Sequence, residues 1–192
     1  AASEKNISIF VRGAASELAR TWSAMQSNVI TAILVIFLLL VILLKSFSMP
    51  LIILLVVPVA STGGIAALAL LNQFIKQPLD MLTMLGFVIL TGIVVNNAIL
   101  LVEQTILQVR EERMQIYDAI VEATRNRIRP IFMSTLTSLF GLVPLVIFPG
   151  AGSELYRGIG VVVFGGLALS TFATLLIVPP LLSVFSKSIK KN

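Results

Sequence analysis

Long apolar runs, separated by short polar segments, make up most of this chain. Because about 20 apolar residues cross a bilayer as a helix, each run is interpreted as a transmembrane helix. Pro58 predicts a bend in the second run, and Pro144 predicts a kink in the fourth. We therefore expect an all-α membrane protein, a bundle of about five transmembrane helices. The predicted helices are at about residues 28–45, 51–72, 81–109, 129–148 and 157–186.

A different pattern lies between the third and fourth runs. In residues 113–126 apolar side chains recur at helical spacing among charged ones, at Met114, Tyr117, Ile120 and Val121. This pattern is typical of an amphipathic helix at a membrane surface, and we predict one on the cytoplasmic side. The predicted transmembrane bundle, residues 28–186, then has a polar lead-in at 1–27 and a basic tail at 187–192.

The distribution of Lys and Arg predicts the orientation, because cytoplasmic segments of membrane proteins carry an excess of these residues. With the amino terminus outside, the cytoplasmic set would be Lys45, Arg110, Arg113, Arg125, Arg127, Arg129, Lys187, Lys190 and Lys191. The outer set would be the smaller one, Lys5, Arg12, Arg20, Lys76 and Arg157. We therefore expect the amino terminus outside and the carboxyl terminus in the cytoplasm.

The composition excludes several classes of function. The chain is 57% hydrophobic and 12% charged, with a mean hydropathy of +1.02. It has no cysteine and no histidine, so thiolate sites and histidine catalysis are excluded. We expect no enzyme, no metal centre and no cofactor. The net charge of +5 is interpreted as the excess of Lys and Arg in the cytoplasmic segments, so no nucleic-acid partner is expected. Since the chain begins with Ala1, we expect a fragment or a processed product.

Two asparagines, Asn96 and Asn97, lie deep inside the third apolar run. At 1.5 Å per residue they are about 24 Å beyond Asp80, in the cytoplasmic half of the membrane. Two interpretations fit their position. They belong to a polar cluster on an ion or proton pathway, or they join helices through hydrogen bonds. An amide does not exchange a proton near neutral pH, so neither is a titrating relay group.

Other polar residues follow helical faces. Glu103 is seven residues after Asn96 and so lies on a similar face, either in a cytoplasmic vestibule or as a snorkelling boundary residue. Arg127, Ser134 and Ser138 share a face of the fourth helix. Their hydroxyls either relay hydrogen bonds or satisfy carbonyls of their own helix.

In the fifth helix Gly166, Ser170 and Thr174 recur every four residues. Such a stripe of small residues allows a neighbouring helix to approach closely. We interpret these three residues as a helix-packing surface.

The order of several short motifs resembles one transporter family. The motifs are residues 45–50 (KSFSMP), 92–103 (GIVVNNAILLVE), 127–135 (RIRPIFMST), 144–146 (PLV) and 150–153 (GAGS). From about residue 13 to its end, the chain resembles the second membrane half, transmembrane helices 8 to 12, of resistance-nodulation-division (RND) efflux transporters of the hydrophobe and amphiphile type.

This resemblance implies a proton-driven exporter of drugs or amphiphiles in the bacterial inner membrane. Its implied partners are membrane lipids, two further copies in a homotrimer, a periplasmic adaptor and an outer-membrane channel. Residues 1–27 would hold the remnant of a periplasmic porter domain, so the amino terminus would be periplasmic. The energy source would be the proton gradient.

The resemblance also implies a proton relay, with one departure. Well-known members have a lysine at the position of Asn96, paired with two aspartates of the missing amino-terminal half. Arg127 matches the cytoplasmic arginine of that relay, and Ser134 or the adjacent Thr135 falls at its threonine. The alternatives are a nontransporting scaffold or assembly subunit, and a lipid-exporting or protein-export relative.

Overall fold

The computed structural model describes residues 26–77, 79–148, 150 and 153–185, and throughout this part of the chain the regular elements are helices. They are α1 (Gln26–Leu44), α2 (Ser48–Leu54), α3 (Val56–Asn72), α4 (Met81–Arg110), α5 (Ile116–Ile147) and α6 (Ser153–Val184). Residues 1–39 and 40–192 form two compact units, divided within α1. The predicted porter remnant before residue 26 and the basic tail at 187–192 lie outside the described residues.

Five segments of the described chain are long and apolar enough to cross a membrane. This confirms the predicted all-α class, and the chain is a multi-pass membrane protein. The segments are Gln26–Leu44, Ser48–Asn72, Met81–Arg110, Ile116–Ile147 and Leu155–Val184.

The second segment is broken near its start. α2 ends at Leu54 and α3 begins at Val56. Pro58 explains the break, because it has no N–H to donate to the Leu54 carbonyl and its ring crowds that carbonyl. Leu55 itself keeps helical backbone angles, φ −62° and ψ −23°, so the proline interrupts the hydrogen bonds of the helix and the bend stays a prediction.

The fourth segment differs from the sequence-based prediction. Residues 113–126 and 129–148 are predicted as separate helices, whereas α5 runs without interruption from Ile116 to Ile147. Between the two predicted helices lie Arg127 and Ile128, which favour a helix over a turn. Pro130 removes one backbone donor inside α5, which bends a helix without having to end it. The amphipathic segment is thus the first part of a long helix.

α6 is the central helix of residues 40–185, since it packs against α3, α4 and α5. Glycines allow the close approach. A Cβ on Gly63 of α3 would lie 2.7 Å from the Gly165 carbonyl oxygen, and a Cβ on Gly166 would lie 2.9 Å from Cγ of Leu90. No real Cβ atom tolerates such distances. Glycine is therefore what lets these helices touch.

α4 positions most of the candidate site. It begins after Asp80, whose Oδ1 accepts a 2.8 Å hydrogen bond from the Thr83 N–H. Its 30 residues span about 45 Å, longer than the roughly 30 Å hydrocarbon core. Gly86 lies beside Ile159, and Leu90 lies beside Gly166, so α4 and α6 run in the same direction. Their first residues therefore share one end of the bundle, and Arg110 lies towards the other.

Candidate functional site

The two asparagines of α4 have different environments. Asn97 is buried, with 9% of its surface exposed, whereas Asn96 is exposed. No hydrogen bond from another described residue reaches either amide. The one-residue step along the helix turns the side chain by about 100°, which separates the pair. Asn97 therefore lies inside the helix bundle, and Asn96 projects from it.

Arg127 forms the polar link between α4 and α5. Its Nη2 donates a 3.1 Å hydrogen bond to Oε1 of Gln104, and the pair is partly buried. Gln104 is a neutral amide, so it holds the guanidinium without neutralising its charge. Glu103, the next carboxylate along α4, is exposed and forms no ion pair with Arg127 within the described chain. The positive charge of Arg127 is thus oriented, and no carboxylate of the described residues neutralises it.

Thr135 forms a second polar link, from α5 to α6. Its Oγ1 lies 2.9 Å from Oγ1 of Thr171, and both residues are buried. The Thr171 hydroxyl has one hydrogen, which it donates to the Leu167 carbonyl at 2.8 Å. Thr135 must therefore be the donor of the pair. The result is a directed chain of hydroxyls that ends on a backbone carbonyl.

The remaining candidates on α4 and α5 point outwards. Ser134, Ser138 and Glu103 are all exposed. Ser134 donates to the Ile131 carbonyl at 3.0 Å, a bond within its own helix. Ser134 and Ser138 therefore lie on the surface of the described chain, whereas Arg127 is partly buried against Gln104 and Thr135 is buried.

The three small residues of α6 are buried. Gly166 lies against Leu90 of α4. Ser170 donates to the Leu167 carbonyl at 3.1 Å, while Oγ1 of Thr174 has no partner. Their position between helices is compatible with the packing role that their spacing predicts.

No side-chain hydrogen bond between described residues joins two members of the predicted set to each other. Each inter-helical bond instead uses a residue that sequence reasoning missed, namely Gln104 for Arg127 and Thr171 for Thr135. The sequence indicated Gln104 only weakly, as a polar residue within the last two turns of an apolar helix. It did not indicate Thr171, because the chosen stripe of α6 passes one residue away from it.

No group of three or more Asp or Glu side chains among the described residues is arranged to hold an ion. The site consists of amides, hydroxyls and one guanidinium. Such groups orient water, protons and carboxylates through hydrogen bonds.

Residues 4–186 match the sequence model of the AcrB/AcrD/AcrF family. The chain is also similar to proteins named multidrug resistance protein MdtC. It is 35% identical over 181 residues to that of Pectobacterium carotovorum subsp. carotovorum. It is 38% identical over 181 residues to that of an Enterobacter species, and 35% over 186 residues to that of Pantoea ananatis.

These alignments cover between 92% and 95% of this chain but only 17% to 18% of each relative. The chain therefore spans less than a fifth of the length of these relatives. The family match covers nearly all of the chain and agrees with the order of its motifs. The chain belongs to the AcrB/AcrD/AcrF family of resistance-nodulation-division efflux transporters.

Proposed function

We propose that this chain is the carboxy-terminal membrane portion, helices 8 to 12, of a proton-driven exporter of drugs or amphiphiles. In this proposal Asn96, Arg127 and Thr135 contribute to the polar groups of the proton relay. The titrating carboxylates come from an amino-terminal half, without which the chain does not export. The complete protein works as a homotrimer in the inner membrane, with a periplasmic adaptor and an outer-membrane channel.

The observation that carries the proposal is the exposure of Asn96. An amide that faces hydrocarbon leaves its hydrogen-bonding groups unsatisfied, which costs several kcal/mol by order of magnitude. Asn97 lies inside the bundle, where another helix of this chain covers it. Asn96 projects from it, so we infer that its partner belongs to another helix of the complete transporter. A carboxylate is a suitable partner, because an amide N–H donates to it.

Arg127 supports the same proposal. A fixed positive charge near the membrane boundary attracts a carboxylate and favours its ionised form. A carboxylate at the position of Gln104 would neutralise that charge permanently. The neutral amide instead orients the guanidinium and leaves its electrostatic field available to a relay carboxylate. This arrangement is suited to a residue that responds to the protonation of a distant partner.

The test replaces single residues in the complete transporter. We expect Asn96→Ala and Arg127→Ala each to abolish proton-dependent dye efflux at normal abundance. Gln104→Leu should lower efflux while preserving the charge of Arg127, because the guanidinium loses its acceptor. Arg129→Ala is the matched control, since Arg129 is an exposed arginine two residues away on the same helix. The measurements are dye efflux and membrane abundance.

Full export by both alanine variants would contradict the relay and favour a packing role for these residues.

The dependence on an amino-terminal half is tested by a separate measurement. The purified chain in liposomes should give no export driven by a pH gradient. Export by the chain alone would contradict that part of the proposal.

A further inference from the structure

Arg157 is a buried cation that the proposed relay does not use. It lies near the start of α6, at the end of the bundle opposite to Arg110. Only 6% of its surface is exposed, and its Nε has no hydrogen-bond partner. No Asp or Glu among the described residues forms an ion pair with it. Burying a guanidinium costs free energy unless an anion is buried with it.

A second unpartnered polar side chain lies at the same corner. Gln77, in the segment between α3 and α4, has only 6% of its surface exposed. Its backbone N–H donates to Oδ1 of Asn72 at 2.7 Å, which holds this segment in place. No described residue hydrogen-bonds its side-chain amide. Gln77 and Arg157 are therefore two buried groups with unused donors.

The contacts of Gly158 bring these groups together. A Cβ on Gly158 would lie 3.3 Å from Nε2 of Gln77 and 3.1 Å from Cβ of Thr83. Gly158 follows Arg157 directly, so the Gln77 amide lies against the turn of α6 that also carries Arg157. α6, the start of α4 and the preceding segment thus enclose a corner whose free donors favour an oxyanion.

The surroundings indicate where the oxyanion comes from. Leu155 and Tyr156, just before Arg157, are 58% and 51% exposed, and Phe74 is 81% exposed. Apolar and aromatic side chains around a buried cation at the end of a membrane helix match an amphiphile, with an anionic headgroup and acyl chains. Free phosphate would satisfy the donors but would leave these side chains uncovered.

We infer that Arg157 and Gln77 form a binding site for the phosphate of a membrane phospholipid. The guanidinium and the amide donate hydrogen bonds to the phosphate oxygens, and the acyl chains cover the exposed residues beside them. The site is independent of the proposed proton relay, because it lies at the other end of the bundle and shares no residue with it.

Native mass spectrometry of the full chain, purified in detergent, tests the site. The probes are dioleoylphosphatidylglycerol and dioleoylglycerol, which differ by the headgroup that carries the phosphate. We expect the chain to bind the phospholipid in preference to dioleoylglycerol. Arg157→Gln should weaken phospholipid binding roughly tenfold or more, because it removes a charged donor. Gln77→Leu should weaken phospholipid binding several-fold, because it removes a neutral hydrogen-bond donor.

Lys76→Gln is the matched control, since Lys76 is an exposed cation beside Gln77 and should leave the affinity unchanged. Circular dichroism checks that each variant is folded. If Arg157→Gln does not fold, Arg157→Lys retains the charge, loses the planar fork of donors and should bind with intermediate affinity.

Equal phospholipid affinity of the original chain and the folded Arg157 variant would overturn the inference. So would equal binding of the two lipids. Inorganic phosphate forms a separate arm. If it competes for Arg157 as effectively as the phospholipid does, the site takes free phosphate and the lipid assignment is wrong.

Discussion

The hydroxyl pair of Thr135 and Thr171 is the best-defined inter-helical contact among the polar residues. Both side chains are buried, and the direction of the bond follows from the single hydrogen of each hydroxyl. Inter-helical hydrogen bonds in membranes contribute about 0.6 kcal/mol on average. This is small, but a hydroxyl left alone between helices costs more than an exposed one.

We predict that Thr135→Val lowers the free energy of unfolding by about 0.6 to 2 kcal/mol, because Thr171 loses its donor. Thr135→Ser should retain most of the stability. Ser134→Ala is the matched control, since Ser134 is exposed and bonds only within its own helix. The measurement is unfolding by sodium dodecyl sulfate in mixed micelles.

A double-mutant cycle with Thr171→Val isolates the pair. If the effects of the two valine substitutions simply add, the two hydroxyls do not interact and the hydrogen bond makes no contribution.

At the scale of elements, the glycines of α4, α5 and α6 divide into two kinds. A Cβ on Gly166 would collide with Leu90, whereas Gly92 and Gly141 have no atom within 4 Å of that position. All three lie in apolar helices, so the sequence alone does not distinguish them. The difference arises from which face of each helix meets its neighbour.

We predict that Gly166→Val lowers the free energy of unfolding by about 1 to 3 kcal/mol, because α4 and α6 must move apart. Gly92→Val should change it by less than about 0.5 kcal/mol, as expected at an open surface position. The two variants are compared by the same unfolding assay. A similar loss at both positions would contradict the prediction, because the contact of Gly166 with Leu90 would then not explain the cost.

At the scale of the whole molecule, α4 places an exposed lysine and an exposed arginine at opposite ends of the bundle. Lys76 lies in the segment before α4, and Arg113 lies in the segment after it. The Lys and Arg asymmetry predicts that the Arg113 end is cytoplasmic. The absence of cysteine from the chain makes this orientation directly measurable.

We predict that Lys76→Cys reacts with a membrane-impermeant maleimide on spheroplasts of cells that produce the complete transporter. Arg113→Cys should react only after permeabilisation. The cysteine-free chain supplies the background for both, provided that the remainder of the transporter is also cysteine-free. Reversed labelling would overturn the predicted orientation, and labelling of both sites from one side would contradict a membrane-spanning α4.

The sequence by itself determined the helical class, the approximate membrane segments and the family. These depend on local properties, since an apolar run of sufficient length has few alternatives in a bilayer. It also singled out Asn97 and Thr135 as polar residues of apolar helices. It predicted a separate helix at residues 113–126 where the structure has one continuous α5, because a proline such as Pro130 either ends or bends a helix according to its surroundings.

Only the tertiary structure decided the partners. Arg127 meets Gln104 across 23 residues, and Thr135 meets Thr171 across 36. It also placed Asn96 on the surface and Asn97 inside the bundle. Arg157, which the sequence analysis used only to predict membrane orientation, is buried in the structure. The physical reason is rotation about the helix axis. Periodicity places residues on a common face, but which face meets a neighbour depends on how the helices pack.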